Sequence, residues 1–325
     1  MNAVRLKKPI SVSFPFVVMV GLIALLAMDR QPVVPDGITS STHVSLAHFV
    51  ETPQPIEQWV KDPSSLYRPS VELQKYYSDS YTSELSKREW LDALSKRYGL
   101  PPGLLYYQNL IEASGKCPMS ANSKGAVGCY QFLPETAMQF GLSGERGDFS
   151  ANFYASADAA ARYLTWLTIY LYGEKADTGD WAQLRHALAA YNAGPARVKI
   201  NGRISLPSFY ETISYVYRIE SLVKGHAVWV ERGDTLGALS KRTGVREDLI
   251  VRGNFSIRSG VDLKAGMVLY LPDEDGMSKL VVQRGMNLFA VQENTGIRVK
   301  DIAAANGLLS ANLIRTGSVL KIPTL

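Results

Sequence analysis

Histidine and cysteine are scarce in this chain, whose 325 residues include four histidines and two cysteines. The histidines are scattered, and none has the spacing of a metal-ligand motif beside the cysteines. Their positions are His43, His48, His186 and His226. We therefore expect neither a metal site nor a cofactor.

Compositional extremes are also missing. With 46% hydrophobic residues the chain is neither disordered nor fibrous, and its length allows two or three domains with cores of their own. The formal net charge of +5 favours polyanionic surroundings, such as nucleic acid, an anionic membrane or an acidic cell-wall polymer. The charge alone does not choose among them.

Charged residues are absent from residues 10–28, which follow Arg5, Lys7 and Lys8. A stretch of this length just crosses a bilayer as a helix, with the basic residues held inside. We interpret residues 1–30 as an N-terminal membrane anchor; the alternative is a cleaved signal peptide, although an Ala-x-Ala site is missing near its end. No cysteine lies near the run, which excludes a lipid-attached N-terminus. In either case the rest of the protein is exported.

Prolines punctuate residues 31–70, which contain six of them and little periodicity. This composition is typical of an extended tether between a membrane and a domain.

Apolar residues return with helical spacing from about residue 83, and a second helical stripe joins Leu104, Tyr107 and Ile111. Glu112 lies beside this stripe, in the last turn of the predicted helix. Burial and a helix C-terminus both raise the pKa of a carboxyl, and a carboxyl that keeps its proton near neutral pH is suited to protonate a leaving oxygen. The alternative is a solvated glutamate at a helix end.

Three blocks follow: SKGAVGCYQFLPETA from Ser123, HALAAYNAGP from His186 and LPSFYETISYV from Leu206. In the same order they resemble the S-x-x-G-A-x-G-L-M-Q-x-x-P-x-T-A, A-L-A-A-Y-N-A-G-P and L-P-x-E-T-x-x-Y-V motifs of soluble lytic transglycosylase (SLT) domains, lysozyme-like enzymes that cut peptidoglycan. The resemblance implies a helical catalytic domain over residues 71–222, with Glu112 as the catalytic acid. The substrate-binding residues that it implies are Ser114, Ser123, Tyr130, Gln131, Tyr191, Asn192 and Tyr215.

The sequence departs from the SLT pattern by one residue around the catalytic position. Counted from the upstream motif residues Pro102 and Leu104, the family's glutamate falls on Glu112; counted from Pro118 and Gly125, it falls on Ala113. A helix turns about 100° per residue, so only one of the two faces the cleft. We expect it to be Glu112, with the extra residue absorbed in the loop that Ser114 opens. If Ala113 faced the cleft, the protein would bind peptidoglycan without cutting it.

The two cysteines, Cys117 and Cys129, flank the same loop. An even cysteine count in an exported chain predicts a disulfide, worth roughly 3 kcal/mol on the chain-entropy estimate. Two buried free thiols are the alternative.

The remainder of the chain repeats itself. Gly233, Asn254 and Pro272 return as Gly285, Asn306 and Pro323, within similar hydrophobic patterns. Each unit, residues 226–273 and 278–325, resembles a LysM module, a small β-α-α-β domain that binds N-acetylglucosamine polymers. The resemblance implies glycan-binding residues in both, namely Gly233, Asp234, Thr235, Leu236, Asn254, Gly285, Asn287 and Asn306. The second unit has Met286-Asn287 where Asp-Thr is usual, which leaves its affinity open.

Together these parts predict an α+β protein: a mainly helical lysozyme-like domain followed by two β-α-α-β modules. The resemblance implies a lytic transglycosylase that binds peptidoglycan glycan strands, at the periplasmic or outer face of the inner membrane, with no nucleic acid partner. Two alternatives stay open, a hydrolytic muramidase of the same fold and a peptidoglycan-binding protein without activity.

Overall fold

The computed structural model describes residues 56–68, 87–118, 120–142, 152–257, 262–310 and 314–324. The predicted anchor and residues 31–55 of the predicted tether lie outside these ranges. Among the helices of the described residues, none combines the length and the apolar character that a membrane crossing requires.

The part of the chain before residue 224 is mainly helical. Its only described strands, Lys199–Ile200 (β1) and Arg203–Ile204 (β2), form a short antiparallel hairpin. The helices are α1 (Ile56–Lys61), α2 (Lys87–Arg97), α3 (Leu104–Ala113), α4 (Pro134–Gln139), α5 (Phe153–Tyr172), α6 (Trp181–Ala193) and α7 (Tyr210–Val223). Short 3-10 turns occupy Pro63–Tyr67, Gly173–Lys175 and Pro195–Arg197.

Helix α5 is the centre of this helical domain. Most of its residues are buried, many of them alanine or leucine, so the neighbouring helices approach it closely. Its first turn is capped by Asn152, whose Oδ1 accepts hydrogen bonds from the backbone N–H groups of Tyr154 and Ala155. Its buried Asp158 accepts hydrogen bonds from the Tyr98 hydroxyl and from Arg162 Nε, each at 2.7 Å.

Residues 56–68 belong to the helical domain, which corrects the prediction that the tether extends to residue 70. Trp59 and Leu66 are buried in its core, and the Trp59 ring stacks on Tyr98. Arg162 Nη1 also donates to the Leu66 carbonyl at 3.0 Å. Proline content suggested an extended chain, but Pro63 stands at the start of a 3-10 turn, a position where its fixed φ and missing N–H cost little.

Helix α3 ends one residue after Glu112. Ser114 takes a left-handed conformation with φ of 53°, and its N–H donates to the Leu110 carbonyl at 2.9 Å. The loop that begins here is closed by a disulfide between Cys117 and Cys129. Asn109 Nδ2 donates to the Cys129 carbonyl at 2.7 Å, which ties the far side of the loop to α3. The one-residue shift of the sequence is therefore accommodated outside the helix.

The two repeats have the same fold. The first consists of β3 (Ala227–Trp229), α8 (Leu236–Thr243), α9 (Glu247–Gly253) and β4 (Val268–Tyr270), and the second of β5 (Met277–Val281), α10 (Leu288–Thr295), α11 (Val299–Ala305) and β6 (Val319–Pro323). In each, the first and last strands pair antiparallel over a small core. The predicted α+β fold class is confirmed.

The repeats pack against each other and against α7. A Cβ on Gly253 would lie 2.5 Å from Ser278 Oγ, so the first repeat needs glycine where the second repeat approaches it. Gln283 Nε2 of the second repeat donates to the Tyr210 hydroxyl of α7 at 3.0 Å. Helix α7 therefore contacts both the rest of the helical domain and the repeats.

Candidate active site

A cleft of about 570 Å³ opens on the helical domain where α3, α6 and α7 meet. The end of α3 contributes Glu112, and the loop before α4 contributes Gln131 and Phe132. Its other walls are Tyr163 of α5, Tyr191 and Asn192 at the end of α6, and Glu211 of α7. The volume lies in the range of about 300–1,000 Å³ typical of ligand sites.

Glu112 lines this cleft, and Ala113 does not. The residue is half-buried, and desolvation raises the pKa of its carboxyl to about 7. A hydrogen bond from Tyr215 and the charge of Lys124 act in the opposite direction, lowering the pKa, but they are outweighed. Near neutral pH this carboxyl is thus present both with and without its proton.

Tyr215 connects Glu112 to the protein interior. It is buried, and its hydroxyl accepts a hydrogen bond from Gln108 Nε2 at 3.2 Å. The hydroxyl proton is then directed to the Glu112 carboxylate. The hydrogen bonds from Gln108 to Tyr215 and from Tyr215 to Glu112 therefore orient the carboxyl from the interior side of the cleft.

Gln131 is held at the cleft by its backbone and by both ends of its amide. Its φ is 49°, an uncommon value for a residue with a side chain. Nε2 donates to the Gly128 carbonyl at 2.8 Å, and Oε1 accepts from Asn122 Nδ2 at 2.9 Å. The side chain therefore has a fixed position before any ligand arrives.

The end of α6 presents an amide and a ring. The Asn192 Oδ1 accepts a hydrogen bond from Thr212 Oγ1 at 2.9 Å, which leaves the NH₂ group of Asn192 as a donor for a ligand. Tyr191 donates its hydroxyl to the Tyr130 carbonyl at 2.8 Å, away from the cleft. Its ring packs against Tyr163, with centroids 5.1 Å apart, and forms part of an apolar wall.

An ion pair that the sequence analysis did not anticipate lies in the same cleft. Lys124 Nζ and Glu211 Oε1 are 2.6 Å apart, although 87 residues separate them in the chain. Both residues stand within the motif blocks, so the only available signal was their membership of these blocks. Their side chains are 64% and 67% exposed, so a ligand can displace this pair at little cost.

Four of the predicted substrate-binding residues do not line the cleft, and one of them is Tyr215, the buried residue that contacts Glu112. Tyr130 is fully buried, and its hydroxyl donates to the Leu105 carbonyl at 3.0 Å, so the prediction of a substrate contact for this ring is corrected to a core position. Ser114 and Ser123 are exposed but do not line the cleft. Ser114 turns the chain at the end of α3, and the cleft is lined by Asn122 and Lys124 on either side of Ser123.

Comparison with family models finds a transglycosylase SLT domain at residues 89–205. LysM domains match residues 229–272 and 281–323. The chain carries an SLT domain followed by two LysM domains. This result confirms the predicted domain types and their order, and it indicates a lytic transglycosylase-type function on peptidoglycan with glycan binding by LysM. A search of curated proteins finds no match.

The two LysM domains use several of the predicted glycan-binding side chains to hold their own fold. Thr235 and Asn287 cap α8 and α10, accepting from the N–H groups of Ala238 and Ala290. Asp234 pairs with Arg242 at 2.8 Å. Gly233 and Gly285 have positive φ, as the turns before the two helices require.

Asn254 and Asn306 play the same internal role in each LysM domain. The Asn254 amide donates to the carbonyls of Ile250 and Tyr270 and accepts from the Tyr270 N–H, all at 2.7 Å. Asn306 makes the equivalent bonds to Ile302 and Lys321. These side chains join the second helix to the last strand, so their recurrence in the sequence has a structural cause.

Within the described residues, no group of three or more histidine, cysteine, aspartate or glutamate side chains is arranged to hold a metal ion.

Proposed function

We propose that the protein is a peptidoglycan lytic transglycosylase, a carbon–oxygen lyase that cleaves the β-1,4 bond between N-acetylmuramic acid and N-acetylglucosamine and leaves 1,6-anhydro-N-acetylmuramic acid ends. The observation that carries the proposal is a single desolvated carboxyl, that of Glu112, with its pKa raised to about 7 in a glycan-sized cleft.

In the proposed mechanism Glu112 first acts as a general acid. It donates its proton to the glycosidic oxygen, while the acetamido group of the muramic acid stabilises C1. The Glu112 carboxylate then removes the proton from the C6 hydroxyl, whose oxygen bonds to C1 and closes the anhydro ring. A pKa near the working pH suits both steps, because the same group must release a proton and regain one.

The remaining cleft residues position the sugar. The Asn192 NH₂ group is available to a carbonyl such as that of an acetamido group, and the Tyr163 and Tyr191 rings offer faces against which a sugar ring packs. We propose that Gln131 contacts the saccharide with its preset amide and that Tyr215 holds the Glu112 carboxylate in place.

The LysM domains are proposed to hold the enzyme on glycan strands. Weak binding modules joined to a catalytic domain raise the local concentration of substrate without adding contacts at the reacting bond. With the N-terminal segment as anchor or signal, the enzyme would act in the cell envelope, at the periplasmic or outer face of the inner membrane.

Hydrolysis is the second candidate function, because the cleft holds another carboxylate. Glu211 lines it together with Glu112. Inverting and retaining glycosidases use two carboxyl groups, one of which activates water or attacks C1. In the transglycosylase mechanism Glu211 transfers no proton. Its ion pair with Lys124 then only contributes to the shape of the cleft.

Mass analysis of the products from purified sacculi tests the proposal. Transglycosylation gives ends that are lighter by one water than hydrolytic ends. We expect anhydro ends from the wild type and from a Glu211→Gln variant. Hydrolytic ends from the wild type, with loss of turnover in Glu211→Gln, would assign the protein to the muramidases instead.

A further inference from the structure

A second cavity, the junction pocket, lies where α7 meets both LysM domains. Its volume is about 210 Å³. The wall from α7 consists of Tyr210, Ser214 and Arg218, and the two LysM domains supply Tyr270 and Lys279 among others. The size is below the roughly 300 Å³ at which sites begin to enclose a drug-sized ligand, so the pocket suits a terminal group of a larger molecule.

The charged residues that line the junction pocket are all positive. Arg218 and Lys279 line it, and no aspartate or glutamate does. Neither cation has an ion-pair partner among the residues that the structure describes. Two other cations withdrawn from water in the helical domain differ in this respect, since Arg162 and Arg185 each pair with a carboxylate at 2.7 Å.

Arg218 loses water without gaining a counter-ion. Desolvation lowers the pKa of its guanidinium, and the nearby Tyr210 and Tyr270 favour the charged form too weakly to offset this. A charge that is partly removed from water and left unpaired is costly unless a ligand of opposite sign compensates it. A bound anion would provide that compensation.

Neutral donors complete the chemistry of the pocket. The Tyr210 hydroxyl accepts from Gln283 Nε2 at 3.0 Å, so its own proton remains available to a ligand. The planar guanidinium of Arg218 matches the two oxygens of a carboxylate, which it binds bidentately. A small carboxylate with a peptide group beside it fits both the donors and the volume.

We propose that the junction pocket binds a carboxylate of the short peptides that peptidoglycan strands carry. The proposal rests on the proposed function for the choice of polymer. Glycan chains of N-acetylglucosamine carry no charge, whereas these peptides carry free carboxylates on a muramic acid that is a neighbour of the bond to be cut.

Helix α7 relates this pocket to the cleft. Tyr210, Ser214 and Arg218 recur every four residues and share one face of the helix, whereas Thr212 and Tyr215 on another face hold Asn192 and Glu112. A peptide in the junction pocket would therefore contact the helix that also positions the catalytic groups. It would favour strands that still bear their peptides.

Titration of the full-length protein with peptide probes tests this. The probes are the tripeptide L-Ala-γ-D-Glu-meso-diaminopimelate, the same peptide with its carboxylates amidated, inorganic phosphate, and an N-acetylglucosamine tetramer. We expect the tripeptide to bind, the amidated form to bind about tenfold more weakly or worse, and Arg218→Gln and Lys279→Gln to weaken tripeptide binding by a similar factor. Binding of the tetramer should not change in these variants.

Arg315→Gln and Lys300→Gln are the matched controls, because both residues are exposed on the second LysM domain outside the pocket. Equal tripeptide affinity in Arg218→Gln and Arg315→Gln would overturn the proposal, as would tighter binding of phosphate than of the tripeptide at this site. The tripeptide has no glycosidic bond, so Glu112→Gln should bind it like the wild type. If the wild type binds the tripeptide but does not cleave sacculi, the proposed function fails and this proposal stands. If it cleaves sacculi but does not bind the tripeptide, this proposal fails and the proposed function stands.

Discussion

Two glutamates of the helical domain, Glu112 in the cleft and Glu220 between α6 and α7, are both withdrawn from water, and their pKa values shift in opposite directions. Desolvation raises the pKa of Glu112 to about 7. Desolvation acts on Glu220 as well, but hydrogen bonds and charge from Arg185 and Lys224 outweigh it and lower the pKa. Glu220 Oε1 lies 2.7 Å from a nitrogen of each.

The difference between the two carboxyls lies in their partners. Glu220 has two cations within hydrogen-bonding distance, whereas Glu112 has a neutral hydroxyl, that of Tyr215, and only the more distant charge of Lys124. A permanently ionised carboxylate fastens two helices, and a carboxyl that exchanges its proton near neutral pH can perform acid–base chemistry. Both carboxyls are desolvated, and the presence or absence of neighbouring cations determines whether the pKa falls, as for Glu220, or rises, as for Glu112.

Glu112→Gln should have the largest effect. The amide keeps the shape of the side chain but cannot donate or accept the proton, so turnover of purified sacculi should fall by roughly 10²–10⁴-fold. Release of soluble muropeptides measures it. Glu135→Gln, an exposed position on α4, is the control and should retain full activity. Unchanged turnover in Glu112→Gln would remove this residue from the mechanism and with it the contrast with Glu220.

Glu220→Gln should damage stability and leave the cleft chemistry in place. The change leaves Arg185 and Lys224 beside a neutral amide in a partly buried site. We expect a loss of about 3 kcal/mol in the free energy of unfolding, at the low end for a broken buried pair, because the two cations are each 33% exposed. Urea denaturation measures it, again with Glu135→Gln as the control. A loss no larger than that of the control would mean that the ion pairs contribute nothing to the packing of α6 on α7.

The pH dependence of stability should distinguish the two carboxyls by sign. Because the pKa of Glu112 is raised from 4.5 to about 7, the native state holds its proton more tightly than the unfolded state does. Its favourable contribution is complete below pH 4.5 and is lost as the pH rises through 7, up to about 3 kcal/mol. The pKa of Glu220 is lowered, so its contribution is present above its unfolded pKa and is lost as the pH falls through the folded value.

Urea denaturation of the wild type and Glu112→Gln at pH 4, 6 and 8 checks this expectation. The variant should match the wild type at the lowest pH and exceed it at the highest. If the two proteins had the same free energy of unfolding at all three pH values, the Glu112 carboxyl would not be desolvated, contrary to the structure.

The sequence predicted which carboxyl lines the cleft more accurately than it predicted the residues around that carboxyl. Helical periodicity fixed which face of α3 is buried, and that face places Glu112 rather than Ala113 at the cleft. The motif blocks indicated Gln131, Tyr191 and Asn192, which do line it. These features are local, because each depends on residues within a few turns of one another.

The features that the sequence did not reveal depend on contacts between distant segments. Tyr130 and Gln131 are adjacent in one block, but the fold buries the first and exposes part of the second at the cleft. Lys124 and Glu211 meet only because α7 packs beside the loop before α4. Likewise, the LysM resemblance implied a glycan contact for Asn254 and Asn306, and only the hydrogen bonds to the last strand of each LysM domain reveal their structural use.

Tyr215→Phe should have the smallest effect and the most specific one. The Tyr215 hydroxyl lowers the pKa of Glu112 by hydrogen bonding to its ionised form, so its removal should raise that pKa further and move the alkaline limb of the pH–rate profile to higher pH. The ring remains, so the fold is retained. Tyr191→Phe is the matched control, because its hydroxyl donates to the Tyr130 carbonyl instead and its loss should leave the limb in place. Initial rates on sacculi between pH 5 and 9 measure both, and identical limbs in the two variants would mean that Tyr215 does not set the proton affinity of Glu112.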